Sequence, residues 1–257
     1  MVLLELDVGN TRLKWRIASP SGASSGDILR LAKSNAEVVS ELCTAVADFC
    51  VGCVSVASVA DSDFSSALKV GLSEGGLPEP EFAYVTAEAS GVVCGYSDVS
   101  RLGVDRWLVV LAAHHMSKHG AVVVDCGSAI TVDVVYGGCH LGGYIVPGLR
   151  LMIEALFAGT DRVKVTQDFD CDLRPGCDTS AAVNRGVLQM VVGLVAQAVR
   201  EWPGDSGRIP VLLTGGDAVD VKSVIETGVK AADVRLCPDL VMDGLRYCKK
   251  QLLGSRN

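Results

Sequence analysis

One strand–turn–strand pattern occurs twice in the 257-residue chain and constrains its fold more than any other feature. In each copy an apolar strand ends in Asp, Gly follows two positions later, and a strand of alternating apolar and polar residues returns. The Asp residues that end the first strand of the two copies are Asp7 and Asp125. The Gly9-Asn10 pair of the first copy tolerates the positive φ angles of a hairpin turn. A repeat of so long a period indicates a duplicated fold, with one loop from each half facing the other across a cleft.

The remainder of the first half alternates strands with helices, which is typical of the α/β class. After the hairpin we predict a small-residue turn and a third antiparallel strand over residues 27–33. A capping box at Ser34 begins a helix, because Glu37 stands three positions later. From the spacing of apolar residues we further predict strands over 51–59 and 81–85, with a helix over 63–72 between them.

The second half repeats this plan, so we divide the chain into domains 1–117 and 118–257. It has a predicted helix over 149–157, a long helix over about 181–202, and a last helix from Leu240. The long helix is apolar nearly all round, which is typical of a helix buried in its own domain or covered by a partner subunit.

Composition and charge exclude several classes of partner. The formal charge of -7 and the pI near 5.1 argue against a nucleic-acid or anionic-membrane surface. No stretch reaches the roughly 18 uncharged apolar residues of a membrane span. An export signal has a cationic region followed by an apolar core, and this chain has the acidic residues Glu5 and Asp7 in that place. We therefore expect a cytoplasmic protein.

The ten cysteines raise the question of a metal site or disulfides. Cys50-x-x-Cys53 is the only close pair, and no second pair or His cluster completes a zinc site. The other cysteines are scattered among apolar neighbours, so we predict buried, reduced thiols for them. Cys171 and Cys177 flank a loop, and the sequence leaves their state open.

The turn after Asp7 carries groups that can hold the phosphates of a nucleotide. Backbone N–H groups, the hydroxyl of Thr11, a carboxylate and the ammonium of Lys14 can together bind phosphates and their magnesium ion. Taken alone, the first turn is better explained as an ordinary polar hairpin, and only the repetition of the pattern favours the binding site.

Asp105 has two interpretations. It precedes an apolar helix that we predict from Trp107, so it fits the N-cap position of that helix. Alternatively, a carboxylate on the rigid start of a helix projects into the cleft as a general base. The segment alone favours the cap.

Together these segments resemble the type III pantothenate kinases of the actin-like superfamily of sugar kinases. The motifs that carry the resemblance follow the family order: Asp7 to Lys14, Gly103-Val104-Asp105-Arg106, Asp125 to Thr131, Gly142 to Gly148, and Thr214-Gly215-Gly216. The resemblance implies duplicated actin-like, ribonuclease H-like α/β domains with a nucleotide cleft between them. The chain has no Gly-x-x-x-x-Gly-Lys-[Ser/Thr] loop, which excludes the P-loop pantothenate kinases as a template.

The resemblance also implies an activity and the residues that perform it. The activity is ATP-dependent phosphorylation of the 4′-hydroxyl of pantothenate, the first step toward coenzyme A, with Asp105 as proton acceptor. The implied ATP-binding residues are Asp7, Val8, Gly9, Asn10, Thr11, Arg12, Leu13, Lys14, Ser128, Gly215 and Gly216. The implied pantothenate-binding residues are Tyr96, Gly103, Val104, Asp105, Arg106 and Thr179.

Two metal positions and a homodimer follow from the same resemblance. Asp7 would lie near Mg²⁺, and Asp125 would lie at a site for a monovalent cation, K⁺ or NH₄⁺. Family members are dimeric, with the Thr179 region reaching the neighbouring subunit's substrate. Ser128 stands where Thr is usual and keeps the hydroxyl, while Asp178 stands where Asn is usual.

Two alternative functions remain at this point. One is another small-molecule kinase of the same superfamily, because a fold does not fix a substrate. The other is a nucleotide-binding regulator without catalysis, since related proteins have been described as accessory factors for gene expression. The presence of Asp105 argues against the second alternative.

Overall fold

A computed structural model describes residues 2–19, 22–117, 119–158, 169–204 and 207–252. The strands are β1 (Val2–Val8), β2 (Arg12–Ser19), β3 (Gly22–Leu29), β4 (Val51–Ser58), β5 (Pro80–Tyr84), β6 (Glu88–Ala89), β7 (Val92–Val93), β8 (Gly120–Cys126), β9 (Ala129–Tyr136), β10 (Cys139–Pro147), β11 (Ile209–Thr214), β12 (Ala232–Leu236) and β13 (Lys249–Leu252). The α-helices are α1 (Asn35–Ala45), α2 (Ser62–Glu74), α3 (Val104–Met116), α4 (Leu149–Ala158), α5 (Thr179–Arg200), α6 (Ala218–Gly228) and α7 (Leu240–Gly244). A single 3₁₀ turn is described at Val99–Arg101.

The chain forms two compact units. The first comprises Met1–Gly91, Tyr96–Ala112 and Val241–Asn257, and the second comprises Val92–Gly95 and Ala113–Leu240. The chain thus returns to the first unit at Val241, whereas we predicted that residues 118–257 form one domain. The return is explained by β13, which pairs antiparallel with β5 of the first unit.

The two sheets share one topology over five strands each, β5-β4-β1-β2-β3 and β12-β11-β8-β9-β10, which confirms the predicted duplication. Their strand orders are β13-β5-β4-β1-β2-β3 and β12-β11-β8-β9-β10-β7-β6. In the first sheet β1 is antiparallel to β2 and parallel to β4. In the second, β8 is antiparallel to β9 and parallel to β11 in the same way. Each hairpin therefore has its turn beside the carboxyl end of a parallel strand, where α/β proteins bind their ligands.

Each unit has its own apolar core. In the first unit buried side chains of β1, β2 and β4 pack with those of α1 and α2, among them Leu6 and Phe64. In the second unit α5 and α6 cover β8 and β11. The predicted capping box at the start of α1 is confirmed, since Ser34 Oγ accepts from Glu37 N at 3.3 Å and Ser34 N donates to Glu37 Oε2 at 2.7 Å.

Two predicted elements differ from the structure. The third strand begins at Gly22 rather than at residue 27, because Ser19 pairs with Gly22 and Trp15 with Gly26. Most of this strand is exposed and its residues are small or polar, so the sequence lacks the apolar alternation that predicts a strand. The last helix ends at Gly244, where a Cβ would overlap the backbone of Leu108, and strand β13 follows.

The long helix α5 is mainly a core helix. Val187, Leu188, Val191 and Val195 are buried within the second unit, so its apolar character does not by itself require a partner subunit. By length and composition α5 could cross a membrane: its best 18-residue window has a mean hydropathy of 1.4 and is 44% buried. A core helix passes the same test, so this is weak evidence for a membrane span.

All ten cysteines are free thiols. The predicted burial is confirmed for Cys126 and Cys237 and is wrong for Cys139, which is exposed. Cys171 and Cys177, whose state the sequence left open, are exposed as well. Among the described residues, no group of three or more His, Cys, Asp or Glu side chains could hold a metal ion, and the Cys50–Cys53 pair is no exception.

Candidate active site

The turn between β1 and β2 forms a closed loop at the edge of the first sheet. Asp7, near the end of β1, is the register partner of Lys14 on β2. Gly9 N donates to Arg12 O at 3.0 Å and closes the hairpin. The guanidinium of Arg12 points to Asp27 on β3 at 2.5 Å, and both side chains are about half exposed. The loop therefore exposes one arginine and places a carboxylate and an ammonium on neighbouring strands.

Asp7 has an unusual electrostatic environment. Burial raises its pKa to about 6, Lys14 opposes that rise, and the carboxylate of Asp105 adds to it. A carboxylate that is costly to ionise in the empty protein gains from a cation placed beside it, because an opposite charge favours the ionised form. Carboxylate oxygen is also the ligand that Mg²⁺ prefers. The environment of Asp7 thus fits the implied divalent cation.

Asp105 lies inside the first turn of α3 and is not its N-cap, so that interpretation is wrong. Helix α3 begins at Val104, and the carbonyl oxygen of Gly103 accepts the first helical hydrogen bond from Trp107 N at 3.0 Å. Oδ1 of half-buried Asp105 accepts from the backbone N–H of Arg106 at 2.8 Å. A Cβ at Gly103 would overlap this Oδ1. Glycine at 103 therefore makes room for the carboxylate.

Arg106 and Tyr96 form a preorganised pair. Nη1 of Arg106 donates to the hydroxyl of Tyr96 at 2.6 Å, and the guanidinium carbon lies 5.5 Å from the centroid of the Tyr96 ring. Arg106 is only 5% exposed. A fixed, nearly buried guanidinium loses little conformational freedom when it binds a polar ligand.

A groove in the first unit runs up to the start of α3. Its volume is about 620 Å³, and its lining comes from residues 58–60, 83–85 and 99–104. The first two segments lie at or just beyond the carboxyl ends of β4 and β5. The third ends in Gly103 and Val104, which directly precede Asp105. The groove therefore offers space for a small molecule beside two of the predicted pantothenate-binding residues.

The second hairpin repeats the first in the second unit. Half-buried Asp125 lies near the end of β8, and Gly127 N donates to Ala129 O at 3.1 Å, as Gly9 N does to Arg12 O. Gly148 N donates to the carbonyl oxygen of exposed Ser128 at 3.0 Å.

Gly215 lies against this hairpin. Its φ is +91°, and a Cβ there would overlap Oδ1 of Asp125 and the carbonyl oxygen of Cys126. Glycine is thus required by both the backbone conformation and the close approach. Gly216 is exposed, and a Cβ at that position would meet nothing within 4 Å. The structure brings Asp125, Ser128 and Gly215 together at one edge of the second sheet.

Thr179 is the first residue of α5 and is exposed. Asp178 is the N-cap of the helix, and its side chain accepts a backbone hydrogen bond from the first turn at 2.9 Å. The segment before it is held to the helix by Arg185, whose Nη2 lies 2.6 Å from Asp170 and 3.0 Å from Asp172. These ion pairs fix the turn that carries Thr179.

One residue near the first loop was missed by the sequence reasoning. Nη1 of half-buried Arg30 donates to the carbonyl oxygen of Gly9. Arg30 follows β3 and belongs to no motif, so its sequence position carried no signal.

Comparison with known proteins identifies the relatives of the chain. The sequence model of the family described as type III pantothenate kinase matches residues 3–201. A type III pantothenate kinase of Chromohalobacter salexigens is 39% identical, with 96% of this chain and 87% of the relative covered. One from Cellvibrio japonicus is 36% identical, with 95% of each covered.

Solved structures of similar fold have lower sequence identity. A putative Baf family transcriptional activator from Campylobacter jejuni has a TM-score of 0.59 at 20% identity, with 95% of each chain covered. A putative N-acetylmannosamine kinase from Listeria monocytogenes has a TM-score of 0.54 at 12% identity, covering 95% of this chain and 97% of that one. At these identities the likeness concerns the fold alone, which is the predicted actin-like α/β fold.

Proposed function

The chain belongs to the type III pantothenate kinase family, and we propose from the geometry of its two units which residues perform the reaction. The reaction is ATP-dependent phosphorylation of pantothenate to 4′-phosphopantothenate, the first step of coenzyme A biosynthesis. One observation carries the assignment of residues: the carboxylate of Asp105 raises the pKa of Asp7. The proposed base therefore lies near the carboxylate of the β1–β2 turn.

The loop from Asp7 to Lys14 holds the phosphates of ATP in this proposal. In the second unit Ser128, Gly215 and Gly216 complete the nucleotide-binding set, supported by the close approach of Gly215 to the hairpin. Mg²⁺, held by Asp7, supplies charge neutralisation for the phosphates. The protein contributes mainly position, because phosphoryl transfer needs an oriented hydroxyl more than covalent help.

Asp105 accepts the proton of the pantothenate 4′-hydroxyl as that oxygen attacks the γ-phosphorus of ATP, and the bond from this phosphorus to the β,γ-bridging oxygen breaks so that ADP leaves. Its support is the rigid helix start, the hydrogen bond from Arg106 N that orients Oδ1, and the room that Gly103 leaves. A general base must be held within hydrogen-bond reach of the proton it removes, and a side chain on the first turn of a helix meets that need.

Pantothenate occupies the groove that ends at Gly103 and Val104, with Arg106 and Tyr96 as further contacts. The substrate is an anion with hydroxyl and amide groups on an aliphatic chain, which suits a groove with a mixed polar and apolar lining close to a nearly buried guanidinium. Thr179 contacts the substrate from the partner subunit of a homodimer.

The homodimer is supported by exposed apolar residues of the second unit. Leu141, Ile145, Leu151 and Met190 are between 47% and 62% exposed, and a partner subunit would cover them. Asp125 holds the monovalent cation. We place the enzyme in the cytoplasm, in keeping with its reduced cysteines.

The test is the release of ADP from ATP and Mg²⁺ by the purified protein, with pantothenate compared against sugars and other small alcohols. We expect release that depends on pantothenate. Release with another alcohol alone would favour a different kinase of the superfamily, and nucleotide binding without release would favour a regulator.

A further inference from the structure

Arg30, just after β3, makes two hydrogen bonds to the turn between β1 and β2. Its Nη1 donates to the carbonyl oxygen of Gly9, and its backbone N–H donates to the carbonyl oxygen of Thr11 at 2.9 Å. One residue at the end of β3 thus engages two carbonyls of the β1–β2 turn. The backbone bond continues the antiparallel pairing of β2 with β3 by one position beyond Arg12 and Leu29, whereas the guanidinium bond to Gly9 is additional to that pairing.

These bonds determine which backbone groups the loop can offer to an anion. A phosphate is attracted by amide N–H groups and repelled by carbonyl oxygens. The carbonyls of Gly9 and Thr11 are taken by Arg30, and that of Arg12 by Gly9 N. Among the backbone–backbone hydrogen bonds of the described residues, none uses the N–H of Asn10 at the tip of the turn. The loop therefore keeps three of its carbonyls engaged and has an amide donor at its tip.

The guanidinium of Arg30 is fixed by its surroundings as well. Its central carbon lies 4.1 Å from the centroid of the ring of Phe64, a fully buried residue in the first turn of α2. Burial lowers the pKa of Arg30, while the carboxylate of Asp61, the N-cap of α2, raises it. Stacking on an aromatic face and donating from a planar fork are properties of arginine that lysine does not share.

We propose that Arg30 is a positioning residue for ATP: it fixes the Gly9 carbonyl so that the loop from Asp7 to Lys14 presents its amides to the phosphates. The inference rests on the proposed function, in which this loop is the phosphate site. Arg30 acts through Gly9 and is not itself a catalytic group.

The test compares Arg30→Met with wild type. Methionine keeps an apolar stem over Phe64 and removes every donor. The Kd of ADP with Mg²⁺ is measured by calorimetry, and KM is measured separately for ATP and for pantothenate. We expect the Kd of ADP and the KM of ATP to rise about tenfold, the scale of one lost charged hydrogen bond. The KM of pantothenate should stay within about twofold, because Gly9 positions only the nucleotide.

Two further variants separate position from charge and from folding. Lys33→Met removes a nearby exposed cation, which pairs with Glu41 on α1, and should leave the Kd of ADP unchanged. Phe64→Leu keeps an apolar side chain but removes the ring, and should raise the KM of ATP by about two- to threefold. This variant answers the question if Arg30→Met does not fold.

The outcomes are distinct. A folded Arg30→Met protein with wild-type Kd for ADP overturns the inference and leaves the proposed function intact. An equal loss in Lys33→Met overturns it in favour of a general effect of charge. Equal changes in KM for ATP and pantothenate would also overturn it. Wild-type protein that fails to bind ADP would overturn the proposed function itself, and the inference with it.

Discussion

Asp7 and Asp105 lie close enough for their charges to interact: beyond the larger effect of burial, the carboxylate of Asp105 raises the pKa of Asp7, which reaches about 6. Asp7 is the last residue but one of β1, and Asp105 is the second residue of helix α3. Two like charges in one place cost free energy in the empty protein. Such a cost is typical of sites that are built for a ligand rather than for stability.

The first prediction follows from this cost. An Asp whose pKa is raised on folding binds its proton more tightly in the folded state, so its contribution to stability is greatest below pH 4. That contribution is lost as the pH rises through about 6. Asp7→Asn should therefore stabilise the nucleotide-free, metal-free protein at pH 8 by about 1–3 kcal/mol and have little effect near pH 4.

Thermal unfolding of both proteins at the two pH values measures the difference. The same substitution should abolish ATP turnover, since the neutral amide cannot replace a carboxylate beside Mg²⁺. An Asp7→Asn protein that is less stable than wild type at pH 8 would contradict the strained-carboxylate account.

A second prediction concerns Gly103. Alanine there would push its methyl group into Oδ1 of Asp105 and shift the carboxylate, while the helix start keeps its backbone conformation. We expect kcat to fall by about 10², the scale of a 1 Å misplacement. Loss of an N-cap Gly costs only about 1 kcal/mol or less, so the protein should remain folded by circular dichroism. Wild-type kcat in a folded Gly103→Ala protein would contradict the claim that glycine at this position is needed to place the carboxylate of Asp105.

The duplicated fold could be predicted from the sequence because its signals are local. Each half contains an apolar strand that ends in Asp, a Gly two positions later and an alternating strand, which together predict a hairpin. The hairpin turns are present at Gly9 and Gly127. The capping box at Ser34 is likewise a contact between residues three positions apart. The strand at Gly22–Leu29 was placed too late, because an exposed strand of Ser, Ala and Gly has no apolar alternation to detect.

The parts that escaped prediction depend on contacts between distant segments. The return of the chain to the first unit depends on the pairing of β13 with β5. Arg30 reaches Gly9 only after β3 has folded against β2. No spacing rule connects these residues, so the sequence alone could not pair them.

A third prediction concerns the monovalent cation. If Asp125 holds K⁺ or NH₄⁺, turnover should be several-fold higher in those salts than in Na⁺ at equal ionic strength, because the site must match the size of the ion. Asp125→Asn should remove the preference. Equal rates in potassium, ammonium and sodium chloride would exclude a selective site and leave the role of Mg²⁺ untouched.

A fourth prediction tests the shared site. Asp105→Asn and Thr179→Arg should each be inactive as homodimers. After the two are mixed and allowed to exchange subunits, half of the dimers are mixed, and each has one site with both native residues. About a quarter of wild-type activity should return by this statistical count. Light scattering that shows a fully active monomer would exclude the dimer.

The most direct test of the whole account is the rate of 4′-phosphopantothenate formation by wild type and by Asp105→Asn, followed by mass spectrometry. Asparagine keeps the oxygen that accepts from Arg106 N, so the fold and the ADP affinity should be preserved. We predict a product from wild type with ATP, Mg²⁺ and pantothenate, and a rate at least about 10² lower in the variant, the scale of a lost general base. Near-normal turnover in Asp105→Asn would contradict the account, because the reaction would then proceed without its proposed proton acceptor.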